Sequence, residues 1–257
     1  MNLKTVLSLV AVAGAFAAFG EEDGSVLTDN TFGVLKVSAP AVAAGTNQYE
    51  IIVSVPWAGI DSDGAETAND ATNMLHLASL KDDDELFTYS ATAGKYPAPW
   101  AVKDGAWVVA TDAADLGADA PSAEMAVGGG AILRVKNAGS VAYVMGMVPK
   151  NDELSVTVPK GASLISYPWA GGAVVDLASV ANWDEVAPDA NDRIRFASSS
   201  NGELQTLSYN ATARKWGVKA GKAGWKYPTV PAGMGFWYLR SGDTPLTIAW
   251  VKPVAQE

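Results

Sequence analysis

The chain carries one histidine, no cysteine and nine tryptophans, so its options for chemistry are quickly narrowed. A Ser-His-Asp triad would have to be built on His76, and no Gly-x-Ser-x-Gly elbow accompanies it. His76 lies between apolar neighbours in Met74-Leu75-His76-Leu77, on the polar side of an alternating strand, which predicts a solvent-facing imidazole. Lacking thiols, the chain has no thiol nucleophile, Cys-type zinc site or disulfide. Two acidic runs, Asp61-Ser62-Asp63-Gly64 and Asp82-Asp83-Asp84-Glu85, offer hard oxygen ligands for calcium. The first lacks the spacing and distal glutamate of an EF-hand loop, and the second is a plain run, so both read as solvated acidic turns. No pair among the 28 acidic residues stands out as a glycosidase dyad. No catalytic residue, metal or cofactor is expected.

The tryptophans are the remaining candidates, because exposed aromatic faces stack on sugar rings. Trp57, Trp169, Trp216, Trp225 and Trp237 come first to mind. Trp57 and Trp169 follow a proline in matching contexts, Pro56-Trp57-Ala58-Gly59 and Pro168-Trp169-Ala170-Gly171, which predicts a repeated core anchor. Trp100 and Trp225 have no evident counterpart and are the candidate ligand-binding residues. Asn210-Ala211-Thr212 matches a glycosylation sequon, a three-residue pattern that we read as coincidence.

The elements that would position these residues are strands. With 49% apolar and 18% charged residues, and abundant Gly and Pro, the composition suits an all-β architecture over a helical bundle. A net charge of -10 would repel a phosphate backbone, so nucleic acid is not an expected partner. One positive charge at Lys4, an apolar run from Thr5 to Phe19 and small residues before Glu21 predict a signal peptide over 1–20. Ala18-Phe19-Gly20 is the expected cleavage site, with Ala15-Phe16-Ala17 as its competitor. The run is shorter than the roughly twenty residues a span requires, and no second one follows, so no membrane span is expected in the mature protein.

After a short segment, 21–32, the sequence repeats itself. Ile52-Val53-Ser54-Val55-Pro56-Trp57 reappears as Leu164-Ile165-Ser166-Tyr167-Pro168-Trp169. Val34 to Pro40 matches Leu154 to Pro159, and Tyr89 to Tyr96 matches Tyr209 to Trp216. Gly129 to Gly146 matches Gly233 to Trp250, a Gly-led closing strand pair, and Met74 to Ser79 aligns with Arg193 to Ser198. Period-two stretches such as Leu204 to Tyr209 and Leu246 to Trp250, separated by Asn201-Gly202, Asn137-Ala138-Gly139 and Ser241-Gly242-Asp243, predict six or seven strands per copy. Only Ala173 to Asn182 and Glu66 to Asn73 look helical, and an Ala/Asp-rich insertion over Thr111 to Glu124 reads as a surface loop. The expected fold is two tandem antiparallel β-sandwich or barrel-like modules, 33–150 and 151–257, each with one short helix. The short connector Pro149-Lys150-Asn151-Asp152 should make the two abut.

Phe32-Gly33-Val34-Leu35-Lys36-Val37, Ser54-Val55-Pro56-Trp57, Asp192-Arg193-Ile194 and Gly233-Met234-Gly235-Phe236-Trp237-Tyr238 give the layout a further likeness. It resembles a paralogous group of exported β-rich proteins of Verrucomicrobia and related bacteria. The resemblance implies export and fold, and no mechanism. Together these features predict an exported, non-enzymatic surface or structural protein, an adhesin, coat or filament subunit. Its partners would be copies of itself, other envelope components or polysaccharide. A secreted glycan-binding module is the second reading, and a carboxylate-based glycoside hydrolase the third.

Overall fold

The computed structural model describes residues 32–38, 49–55, 58–59, 75, 80–89, 91, 94, 99–109, 125, 127–136, 141–169, 183, 188–197, 204–228, 230 and 235–251. Within them the chain is all-β. The strands of the first half are β1 (Phe32–Ser38), β2 (Tyr49–Ser54), β3 (Glu85–Thr88), β4 (Trp100–Lys103), β5 (Ala106–Val109), β6 (Gly130–Val135) and β7 (Val141–Met147). The second half has β8 (Glu153–Val158), β9 (Gly161–Ser166), β10 (Arg193–Ala197), β11 (Leu204–Asn210), β12 (Lys215–Lys219), β13 (Trp225–Lys226), β14 (Gly235–Arg240) and β15 (Leu246–Val251). A 3₁₀ turn covers Gly221–Ala223. Both stretches expected to be helical, the 111–124 insertion and the leader lie outside the described residues.

Among the described residues every strand pairing is antiparallel. β2-β6-β3-β4-β5 form a five-stranded sheet and β9-β14-β10-β11-β12-β13 a six-stranded one, while β1–β7 and β8–β15 form separate two-stranded ribbons. Local chemistry sets the turns. Asp104 and Gly105, with φ of 50° and 76°, link β4 to β5 in a two-residue hairpin, the left-handed pair such a tight turn demands. A longer turn joins β11 to β12, where the Asn210 side-chain oxygen accepts the Thr212 and Ala213 N–H groups. The sequon match is thus a turn cap.

The registers of the two sheets coincide. Ser54 pairs with Gly130 as Ser166 does with Gly235, and Leu86 with Leu133 as Ile194 with Tyr238. Leu86–Trp100 then corresponds to Ile194–Leu207, and Val102–Trp107 to Tyr209–Trp216. This corrects two of the sequence matches. Tyr209 takes the place of Val102 rather than Tyr89, and Arg195 takes the place of Phe87 rather than His76. The Gly-led closing strands are not hairpins either: β6 and β14 join the sheets, while β7 and β15 cross to the ribbons.

Period-two alternation fixes where the cores lie. Val53, Leu86, Val102, Trp107, Ala131 and Leu133 of the five-stranded sheet share one core with Val144 of β7. Ile165, Ile194, Leu207, Trp216, Phe236 and Tyr238 of the six-stranded sheet share another with Val158, Leu246, Ile248 and Trp250 of the β8–β15 ribbon. The opposite faces of the two sheets meet in a third cluster, Ile52, Ile132 and Leu164, flanked by Phe87, Tyr89 and Trp237. β2 thus sends Ile52 into this third cluster and the adjacent Val53 into the first core, burying neighbouring residues on opposite sides.

Hydrogen bonds through Ser166 stitch this junction: its N–H donates to Gly128 O, and its hydroxyl donates to Gly129 O at 2.6 Å and accepts from the Val55 N–H at 3.2 Å. Two glycines let the sheets close. A Cβ on Gly235 would stand 2.7 Å from Ile52 Cγ2, and one on Gly130 would stand 3.0 Å from Leu164 Cγ. Ile52 and Leu164 hold equivalent registers, as do Gly130 and Gly235, so the contact is reciprocal.

Candidate functional site

His76, the Asp61-Ser62-Asp63-Gly64 run and Trp57 lie outside the described residues. The second acidic run departs from its expectation of a solvated turn. Asp82 and Asp83 are exposed, but Asp84 is fully buried and accepts the Lys81 and Lys136 backbone N–H groups. Glu85, largely shielded, pairs with Arg134 at 3.0 Å and Lys136 at 2.6 Å.

Asp192 occupies the same corner of the six-stranded sheet. It is fully buried and accepts the Asp189 N–H on one oxygen and the Ser241 N–H on the other. The Tyr238 hydroxyl at 2.8 Å and Arg240 at 2.7 Å complete the cage, with the Ser241 hydroxyl at 3.0 Å. Burial acts to raise the carboxyl's pKa, but the Ser241 N–H, Arg240 and Tyr238 bonds outweigh it and hold it below the ordinary value of 3.8. Burial, followed by the neighbouring Asp192 charge, pushes the Tyr238 phenol well above its usual range. With all its bonding capacity spent on closing a turn against a strand end, Asp192 is a structural carboxylate. Among the described residues, no group of three or more His, Asp or Glu gathers where a metal could sit.

The tryptophans divide by burial. Trp169 is 4% exposed, inside the second core, packed edge-on against Tyr167 at 5.6 Å. Trp216 and Trp250 are buried in the same cluster, both set edge-to-face against Trp183. Among the described residues, the indole N–H groups of Trp169, Trp216 and Trp250 have no hydrogen-bond partner, and neighbouring ring faces are the weak acceptors this packing offers. The two candidate ligand residues part company here. Trp100 is 8% exposed, its side chain in the first core at the register of Leu207, so it presents no platform.

Trp225 is half-buried at the outer edge of the six-stranded sheet, beside a residue the sequence reading overlooked. Tyr227, 41% exposed, holds its ring within 5° of parallel to Trp225, with centroids 6.4 Å apart. Asn210 donates to the Tyr227 hydroxyl at 2.9 Å, and the Lys215 ammonium stands 5.9 Å from the ring centre. The ring lies over Gly217, where a Cβ would approach it to 2.8 Å. The signal was present in Gly224-Trp225-Lys226-Tyr227: two aromatics two apart on an extended segment share a face. An open cleft of about 520 Å³ near the connector, lined by Ala58, Val127, Met147, Pro149, Lys150 and Leu154, brings one ammonium and no carboxylate. Trp225 and Tyr227 are therefore the candidate binding residues.

Comparison with protein-family models, with curated proteins and with solved structures finds no match to this chain.

Proposed function

We propose that the chain is an exported, non-enzymatic protein of two tandem β-sandwich modules, 33–150 and 151–257, acting through its surfaces as an adhesin, coat or filament subunit. Each module carries one short helix after its Pro-Trp motif, within 66–73 and 173–182. The coincident strand orders and registers support the duplication. The observation that carries the reading is the reciprocal junction of Ile52 on Gly235 and Leu164 on Gly130. Equivalent faces buried against each other make a stiff two-module body, suited to presenting surfaces. The caged Asp192 and Asp84 support a role without acid–base chemistry, since their oxygens are occupied by the fold. A leader over 1–20 would take the protein out of the cytoplasm, the location that its resemblance to exported Verrucomicrobial proteins also implies.

Fractionation with mass spectrometry tests this reading. The protein should appear in the envelope or medium with its N-terminus at or near Glu21. Recovery from the cytoplasm with Met1 intact contradicts it. A second reading, a glycan-binding module, is favoured by one observation, the parallel Trp225–Tyr227 pair with its flanking amide and ammonium.

A further inference from the structure

The Trp225–Tyr227 pair is one end of a larger surface. Alternation along β10, β11 and β12 sends Ile194, Leu207 and Trp216 into the core, and Arg195, Thr206 and Lys219 out of it. Pairing registers line these outward residues up across the strands. Arg195 stands beside Thr206 in one row, and Lys219 stands beside Trp225 two positions past the last β11–β12 pair, Ser208–Gly217. Arg193 and Ser208 lead to Gly217 and the overlying Tyr227 in the next. Arg195, Thr206 and Lys219 are exposed, and no Asp or Glu occupies a described strand position of this face. The rows cross four strands, a span of roughly 14 Å at ordinary strand spacing.

Such a face is unexpected on a chain of net charge -10. It is also peculiar to the six-stranded sheet. At the registers of Arg195, Ser208 and Gly217 the five-stranded sheet has Phe87, Ala101 and Val108. A cation and a hydroxyl thus stand where the other sheet is apolar, and a glycine makes room for an aromatic ring.

We propose that the outer face of β10–β13 binds an anionic polysaccharide, its carboxylate or sulfate groups on Arg195 and Lys219 and a sugar ring on Tyr227 and Trp225. The inference rests on the reading of the chain as a non-enzymatic protein acting through its surfaces. The charge asymmetry selects an anionic ligand. The rings and hydroxyls select sugar over a bilayer, which would call for protruding apolar residues and would repel the rest of the chain.

Affinity electrophoresis and calorimetry of the full chain, with polygalacturonate as the probe and uncharged dextran as the control, test the proposal. Polygalacturonate should retard the protein where dextran does not, and added salt should weaken binding. Arg195→Gln with Lys219→Gln should lower affinity roughly tenfold or more, because each loses a charge-assisted contact. Both side chains are exposed, so the melting temperature should hold. Tyr227→Ala should weaken binding as well. Equal retardation by dextran, unchanged binding by the double variant, or uptake by phosphatidylglycerol vesicles in place of polygalacturonate would each overturn the proposal. Release of reducing ends from polygalacturonate would instead overturn the non-enzymatic reading and leave the binding face standing.

Discussion

Asp192 shows how one side chain can hold a corner together. Removing it by Asp192→Ala would leave Arg240, only 10% exposed, without its carboxylate, and Tyr238 without an acceptor. Breaking a buried pair from one side typically costs about 3–5 kcal/mol, and chemical denaturation should register a loss of that order. The carboxyl's lowered pKa also gives stability a direction with pH. Because the folded state favours the charged form, its contribution is present above the ordinary value of 3.8 and is lost as the pH falls from there through the lowered one. Acid unfolding of Asp192→Asn should lack that component. At the alkaline end the sign reverses. Burial raises Tyr167 to about 12, so its contribution is whole below 10 and is lost as the pH climbs from 10 towards 12. Trp169 belongs to the same core. Trp169→Ala should cost about 3–5 kcal/mol in a melting experiment, and a variant that melts like the parent would remove Trp169 from the core.

At the scale of strands, the sequence was legible where patterns are local and misleading where pairing is not. Period two in Leu204 to Tyr209 and Leu246 to Trp250 identifies strands, and Ser54 and Ser166 match because both stand opposite a glycine at the same register. Tyr89 to Tyr96 resembles Tyr209 to Trp216, yet the first segment follows β3 and the second spans the end of β11 and its turn. Turn-forming residues recur wherever a chain must reverse, so their likeness does not establish equivalent strands. The Asp84 and Asp192 corners were hidden for a related reason. Asp84 reads as part of a solvated acidic run and Asp192 carries no signal of its own, yet each takes two backbone donors, one from three residues earlier and one from a neighbouring strand end. The candidate site was half legible: Trp225 was singled out, but Tyr227 and Gly217 acquire meaning only from the β12–β13 register. Gly217→Val tests that element, since a Cβ there would lie 2.6 Å from Lys226 O and 2.8 Å from Tyr227. Hydrogen exchange should show β13 opening while β9, β14 and β10 stay protected. Unchanged protection at Trp225 and Lys226 would contradict the contact.

The molecule as a whole is organised by two sheets that meet through equivalent faces. Reciprocity of this kind is what an isologous pair of subunits shows, here within one chain. The cluster of Ile52, Ile132 and Leu164 removes apolar surface that each sheet alone would expose, and the glycines at 130 and 235 set how closely the sheets approach. A chain without cysteine allows this to be tested by cross-linking. Ile52→Cys with Gly235→Cys, and separately Leu164→Cys with Gly130→Cys, place thiols on the two reciprocal contacts, within the reach a disulfide bridges. Both pairs should oxidise to intramolecular disulfides under mild conditions, seen as equal mobility shifts reversed by reductant. Cross-linking of one pair alone, or of neither, would contradict the reciprocal junction.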